Sequence, residues 1–164
     1  MTSQNLREMG FQGFVKVQDL MKDISCVPDR KGVYAIIRFS TGEPRFLKVG
    51  TGGHFKNKEP NVLVSELEKN WLDDTDILYI GKAGSLTGDA TLRSRLYQYM
   101  QFGQGYNVGH WGGRYIWQLA DSKSLMVCWL PTLHSQEPEV VEKGLIQDFK
   151  LAHHGNRPFA NLRD

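Results

Sequence analysis

One glutamate near the end of the chain is predicted to lie on the apolar side of a helix. Residues from about 137 to 152 have helical spacing, and their apolar stripe consists of Val141, Leu145, Ile146, Phe149 and Ala152. Glu142 projects into this stripe, whereas the opposite, solvated face is predicted to carry Glu139, Lys143 and Gln147. Because an unpaired buried carboxylate is costly, Glu142 should bind a metal ion, accept strong hydrogen bonds or pair with a cation such as Arg95.

An earlier helix brings an arginine and a tyrosine to the edge of its apolar stripe. The stretch ATLRSRLYQYM, residues 90–100, has an inward stripe formed by Leu92, Leu96 and Met100. Arg95 and Tyr99 fall side by side along one edge of it. A cation and a phenol in this position are predicted to face a cleft. The alternative is that both lie at the rim and cover the core with the apolar parts of their side chains.

Two further stretches combine glycine with polar or aromatic side chains. In DILYIGKAG, residues 76–84, Lys82 directly follows a short apolar strand, where solvation of the strand end is the simple interpretation. The stretch GHWGGRYIWQL, residues 109–119, suits stacking on a nucleic-acid strand, with Arg114 on a phosphate and His110 beside it. The alternative is a loop that leads into buried Ile116 and Trp117. His110, His153 and His154 lack zinc spacing and are predicted at the surface.

The elements that position these residues alternate between strands and helices. Strands are predicted within KGVYAIIRFS, DILYIG and LMVCWLP, and helices within VQDLMKDI, NVLVSELEKNW, ATLRSRLYQYM and residues 137–152. This order predicts one small α/β (α+β) domain over residues 1–164, with a mainly antiparallel three-stranded sheet flanked by helices.

The tripeptides GVY, residues 32–34, and YIG, residues 79–81, lie inside two of these strands. With Lys82 after the second tripeptide, an ordered set of residues follows along the chain: Arg95, Tyr99, Glu142 and Asn161. This pattern resembles the GIY-YIG nuclease superfamily from residue 31 to residue 161. Two features depart from the compact pattern. Residues from about 42 to 75 look like an insertion, and the longer loop before the helix leaves Arg93 as an alternative to Arg95.

The resemblance implies a metal-dependent nuclease that hydrolyses phosphodiester bonds in DNA. Tyr34 would be the general base, and Lys82 would lower its pKa or grip the scissile phosphate, while Tyr79 would contact the attacking water or the phosphate. Arg95, near Tyr99, would stabilise the transition state, and Glu142 would hold Mg²⁺ or, alternatively, Mn²⁺.

Supporting roles fall to other residues of the pattern. Arg93 would contact nucleic acid, Gly32 and Gly81 would shape the strands, and Asn161 would tie the last loop to the sheet. RNA stays open as a substrate, and the second hypothesis is a nucleic-acid-binding module that keeps the fold without cutting.

Composition sets broad limits on partners and location. The net charge of +2 is too small to indicate a polyanion partner, so cationic residues would have to be gathered locally. No apolar run reaches the length of a membrane span, and the N-terminus lacks a secretory signal, which predicts a soluble, cytoplasmic protein without membrane contact. The insertion could bind DNA, bind a protein or form a homodimer.

Overall fold

The computed structural model describes residues 1–163, in which helices cover both faces of an antiparallel sheet. The strands are β1 (Gln12–Lys16), β2 (Gly32–Ile37), β3 (Ile77–Ala83) and β4 (Met126–Pro131). The helices are α1 (Ser3–Glu8), α2 (Val17–Lys22), α3 (Val64–Asn70), α4 (Leu92–Gly103) and α5 (Pro138–Ala152). Short 3₁₀ segments occupy Phe55–Asn57, Trp111–Gln118 and Ser122–Ser124. The prediction of a mixed fold with an antiparallel sheet flanked by helices is confirmed.

The sheet has four strands in the order β1-β4-β2-β3, so the prediction of three strands was wrong. The additional strand is β1, which pairs antiparallel with β4 through a register shift between Gly13 and Val15. Gly13 has a φ of +91°, and a Cβ there would lie 2.5 Å from the Trp129 ring, so the close approach requires glycine. This bulge interrupts the alternation by which a strand is recognised in sequence.

The central strand β2 is buried on both faces. Tyr34 and Ile36 pack toward α4, whereas Val33, Ala35 and Ile37 pack toward α5. The predicted stripe of α4 is buried, and so are Leu145, Ile146 and Phe149 of α5. Ala152 is exposed, contrary to prediction, because it lies in the last turn of α5 beyond the sheet.

The free edge of the sheet, strand β3, is covered by the segment 158–161. The backbone N–H of Ala160 donates to the carbonyl of Leu78 at 2.8 Å. The side-chain amide of Asn161 accepts from the N–H of Ile80 at 2.9 Å and donates to its carbonyl at 2.8 Å. Asn161 therefore satisfies the outward backbone groups of an edge strand that would otherwise be open to pairing.

The insertion, residues 42–75, packs against the 3₁₀ segment Trp111–Gln118. The buried side-chain amide of Gln118 donates to the carbonyls of Leu47 and Val62, and its oxygen accepts from the Val62 N–H at 2.9 Å. Further along, the N–H of Gly53 donates to the Phe102 carbonyl, and the N–H of His54 donates to Asn107 Oδ1, each at 2.9 Å. The insertion is thus bound to the last turn of α4 and to the segment that follows it. Within residues 1–163, no helix is long and apolar enough to cross a membrane.

Candidate active site

A cleft of about 820 Å³ lies at the outer edge of β3 and gathers most of the predicted site residues. Its walls are formed by Tyr34, Tyr79, Lys82, Arg95, Trp111, Gly112, Arg114, Glu139, Glu142, Lys143, Ile146, Asn161, Leu162 and Arg163. Five of these side chains are cationic and two are carboxylates. The cleft is therefore electropositive, although the whole chain is nearly neutral.

Tyr34 lies in this wall with its hydroxyl bonded to a histidine. It is opposite Gly81 in the β2–β3 pairing, and its oxygen lies 2.8 Å from Nε2 of His110. A Cβ on Gly81 would lie 2.7 Å from Cζ of Tyr34, so glycine is the residue that leaves room for the phenol. Burial raises the pKa of Tyr34 well above its ordinary value, and the charge of Arg95 opposes this rise.

The two other predicted tyrosines differ in their access to the cleft. Tyr79 is opposite Ile36 on the same sheet face as Tyr34, and burial raises its pKa to about 12. Tyr99 is completely buried behind the wall, where its hydroxyl donates to the carbonyl of Gly113 at 3.3 Å. Tyr99 therefore ties α4 to the following loop and does not line the cleft.

Lys82 reaches the cleft from the other face of the sheet. It is opposite Val33, which packs toward α5, whereas Gly81 is opposite Tyr34. Its Nζ pairs with Glu139 at 3.2 Å, and Glu139 also pairs with Lys143 at 2.8 Å. The expectation that Glu139 and Lys143 lie away from Glu142 was wrong, because both line the same cleft. In this arrangement Arg95, rather than Lys82, is the cation whose charge lowers the pKa of Tyr34.

Glu142 is half-buried on α5 and projects into the cleft. Within residues 1–163 its carboxylate forms no ion pair and accepts no hydrogen bond, so the alternative of a structural ion pair with Arg95 is not found there. Burial raises the pKa of Glu142 above its usual value, and the neighbouring Glu139 carboxylate adds to the rise, while Lys82 opposes it. A half-buried carboxylate without a partner is suited to a cation delivered from outside the chain.

The structure brings Arg95, and not Arg93, to the cleft. One Nη of Arg95 donates to the Gly109 carbonyl at 2.8 Å and to Gln98 at 3.3 Å, which leaves other guanidinium donors free to face the cleft. The guanidinium of Arg93 instead donates to the carbonyls of Val27 and Ser25. Arg93 therefore fixes the loop before β2.

Some residues of the stretch 109–119 line the cleft, and others belong to the hydrophobic core. Ile116 and Trp117 are buried, as the alternative interpretation expected, while Arg114 lines the cleft with its guanidinium 4.7 Å from the ring of Trp111. Burial lowers the pKa of Arg114, and its Nε has no hydrogen-bond partner among residues 1–163. The half-buried Trp111 and Arg114 present stacking and charge on one side of the cleft.

The surface position predicted for two histidines was wrong. His110 is fully buried, and His153 is 3% exposed. His153 is held by Asp74, with its Nδ1 2.9 Å from the carboxylate. His110 is enclosed by Tyr34 and by Tyr99, whose ring centroid is 4.2 Å from its own. One of the two side chains that enclose His110, Tyr34, is 76 positions away along the chain, so local sequence does not reveal this burial.

Two wall residues, Leu162 and Arg163, had no prediction, whereas Trp111 belongs to the stretch 109–119 that was predicted to stack on nucleic acid. The sequence motif ends at Asn161, so it makes no prediction for Leu162 and Arg163. The hydrogen bonds between Asn161 and β3 place these two residues beside the cleft.

A divalent metal fits only part of this site. Within residues 1–163, no group of three or more His, Cys, Asp or Glu side chains could hold a metal ion. Mg²⁺ commonly takes one or two carboxylates and completes its shell with water and phosphate oxygens, so the unpaired Glu142 carboxylate is compatible with it. Such an ion would be bound weakly without substrate.

Substituting Gly81 with Ala is expected to lower stability by about 1–3 kcal/mol, because the new Cβ must displace two buried rings. It would lie 2.7 Å from Tyr34 Cζ and 2.8 Å from Tyr79 Cε1. Chemical denaturation of the parent and the variant measures the difference. Gly144→Ala is the matched control, because a Cβ there meets nothing within 4 Å and should stabilise α5 by up to about 1 kcal/mol. Equal stability of the Gly81 variant and the parent would contradict the packing described here.

Tyr34, Tyr79, Arg95 and Glu142 come from β2, β3, α4 and α5, and converge on one electropositive cleft. No protein-family model, curated protein or solved structure matches the chain. What the chain does is therefore inferred from the chemistry of the cleft.

Proposed function

We propose that this protein is a metal-dependent nuclease of the GIY-YIG type that hydrolyses phosphodiester bonds in DNA. The observation that carries the proposal is the meeting, in one cationic cleft, of two buried tyrosines, an arginine and an unpaired carboxylate. These are the groups that hydrolysis of a phosphodiester needs: a site for the attacking water, a positive charge at the phosphate and a ligand for a metal ion.

The charge of the cleft supports a polyanionic substrate. Lys82 and Lys143 share the carboxylate of Glu139, while Arg95, Arg114 and Arg163 make no ion pair within residues 1–163. Three unneutralised guanidinium groups around a cleft attract a phosphate backbone. The half-buried ring of Trp111 adds a surface on which a base can stack.

The arginine and the second tyrosine act on the phosphate. Arg95 is fixed by its bond to the Gly109 carbonyl, and its remaining N–H groups stabilise the negative charge that develops on the phosphate oxygens. Tyr79 is protonated at neutral pH, because its pKa is raised to about 12, so it donates a hydrogen bond to the phosphate or to the water. Asn161 keeps β3 and the last loop together beside both groups.

Tyr34 is assigned to the attacking water. Its phenol is protonated at neutral pH, since burial raises its pKa, and in this form it accepts a hydrogen bond from the water. Tyr34 can take a proton from the water only after its own hydroxyl proton has passed to another group. Glu142 would hold Mg²⁺ or Mn²⁺, which when bound polarises the phosphate and stabilises the leaving oxygen.

The second candidate function is a nucleic-acid-binding module that does not cut. The raised pKa of Tyr34 favours it, because a protonated buried phenol is not a ready base. Binding needs only the cationic wall and the ring of Trp111, which serve equally well without chemistry.

Cleavage assays decide between these two functions. We expect purified protein to nick or cut supercoiled plasmid or branched DNA in the presence of Mg²⁺, with RNA as a parallel substrate. A chelator should stop cleavage and leave the unfolding midpoint unchanged, because the fold needs no metal. Binding without cleavage under all metal conditions would favour the second function, whereas tight stoichiometric metal binding by the free protein would contradict the role given to Glu142.

A further inference from the structure

The proposed function leaves the buried contact between Tyr34 and His110 at the cleft without a role. The two side chains are 1% and 0% exposed, and the Tyr34 oxygen lies 2.8 Å from Nε2 of His110. His110 does not line the cleft, so it reaches substrate only through Tyr34. The imidazole therefore has no use as a direct nucleic-acid contact.

The surroundings of His110 keep its imidazole neutral. Burial lowers the pKa of His110 well below its ordinary value, and the charge of Arg95 lowers it further. Tyr99 stacks against the ring with centroids 4.2 Å apart and an interplanar angle of 33°. A neutral imidazole has one N–H donor and one bare nitrogen acceptor, so the direction of the bond to Tyr34 depends on which nitrogen carries the proton.

The chemistry of the two groups favours one direction. A phenol is a strong hydrogen-bond donor and a weak acceptor, because its oxygen lone pair is delocalised into the ring. A bare imidazole nitrogen is the stronger acceptor of the two. This difference favours donation from the Tyr34 hydroxyl to Nε2, with the proton of His110 on Nδ1. Nδ1 has no hydrogen-bond partner among residues 1–163.

We propose that His110 is a positioning residue for Tyr34. By accepting the Tyr34 hydroxyl hydrogen at Nε2, it directs the lone pairs of the phenolic oxygen toward the cleft, where they accept a hydrogen bond from the attacking water. Without His110 the hydroxyl would rotate and offer its hydrogen to the water, which reverses the polarity of the contact. This inference rests on the proposed nuclease function and deepens it.

The resting protein gives the first test, which requires no cleavage. Nitrogen-15 NMR of labelled histidine distinguishes a protonated from a bare ring nitrogen. We expect Nδ1 of His110 to be protonated and Nε2 to be bare, and the Nε2 signal should move in Tyr34→Phe. A protonated Nε2 in the parent would overturn the inference.

The second test uses kinetics. His110→Phe keeps a ring against Tyr99 and removes the acceptor, and we expect kcat at saturating DNA to fall about 100-fold with little change in KM. His110→Gln retains an acceptor oxygen and should recover part of this loss. Because His110 acts only through Tyr34, adding His110→Phe to Tyr34→Phe should cause little further loss.

Other results of the same assays count against the inference. Unchanged kcat in a folded His110→Phe protein, or an equal loss in the parent and in the Tyr34→Phe background, would overturn it. Unfolding midpoints establish that each variant is folded at the assay temperature, and the Gln variant serves if the Phe variant is not. If the parent protein cuts no nucleic acid, the proposed function is overturned instead. The nitrogen-15 signals of His110 then still show whether Tyr34 donates its hydrogen bond to Nε2.

Discussion

Glu142→Gln is expected to reduce the rate of DNA cleavage at least about 1,000-fold. Losses of this size are typical when an enzyme loses a group that stabilises charge in the transition state. Gln has nearly the shape of Glu but lacks the charge needed to hold a divalent cation. Since Glu142 has no ion pair within residues 1–163, the substitution leaves no cation there unpaired. Single-turnover cleavage with Mg²⁺ measures the effect.

The same variant should be as stable as the parent, or more stable by about 1 kcal/mol, in chelator at neutral pH. Burial raises the pKa of Glu142, so its charged form destabilises the folded protein when the pH is above that raised pKa. The advantage of Gln should therefore shrink as the pH falls through the raised pKa and vanish below the ordinary value of 4.5. Denaturant unfolding at neutral and acid pH measures this difference.

Glu139→Gln is the matched control on the same helix. Its pairing with Lys143 and Lys82 lowers the pKa of Glu139, so this carboxylate stabilises the fold at neutral pH and loses that effect as the pH falls. The two variants should thus differ from the parent in opposite directions. A Glu142→Gln protein less stable than the parent by about 3 kcal/mol or more would instead make Glu142 half of a structural ion pair and remove most of the case for an enzyme.

Arg95→Ala should reduce kcat by about 100- to 1,000-fold while DNA affinity changes little, because its charge acts where negative charge develops. Arg114→Ala should show the reverse, with weaker DNA binding and little change in kcat. The slope of the logarithm of the binding constant against the logarithm of the salt concentration should fall in magnitude by about one. Binding isotherms at several salt concentrations, combined with single-turnover rates, separate the two effects.

Arg93→Ala is the control for Arg95→Ala, since it removes the same charge from the same helix. The Arg93 guanidinium bonds to the loop at Val27 and does not line the cleft, so its loss should leave kcat close to that of the parent. Equal losses of DNA affinity in Arg95→Ala and Arg114→Ala, with similar cleavage rates at saturating DNA, would contradict the separate roles given to the two arginines.

The sequence predicted the elements that have regular periodicity. Strands β2, β3 and β4 and helices α4 and α5 lie where their apolar spacing indicated them. Strand β1 was missed because Gly13 and the bulge beside it break the period of two, and its pairing with β4 depends on residues more than a hundred positions away. Periodicity reports local structure, so it does not detect a strand whose pairing is distant and irregular.

The candidate site was predicted unevenly for a similar reason. Helical spacing correctly directed Arg95 toward a cleft, whereas Tyr99, which was predicted to face the same cleft, is buried behind its wall. Strand alternation could also have shown that Lys82 and Tyr79, three residues apart, start from opposite faces of the sheet. No local rule could have paired Tyr34 with His110, because 76 positions separate them.

Hydrogen bonds join the insertion to the last turn of α4 and to the segment that follows it. Gly53 and His54 bond to Phe102 and Asn107, and the ring of Phe55 lies against Gly109, whose carbonyl holds Arg95. We expect local opening of the insertion to loosen the carbonyl that orients the arginine. We therefore expect mutations in residues 42–75 to change the rate of the proposed cleavage at a distance, through the fraction of molecules in which these contacts are closed.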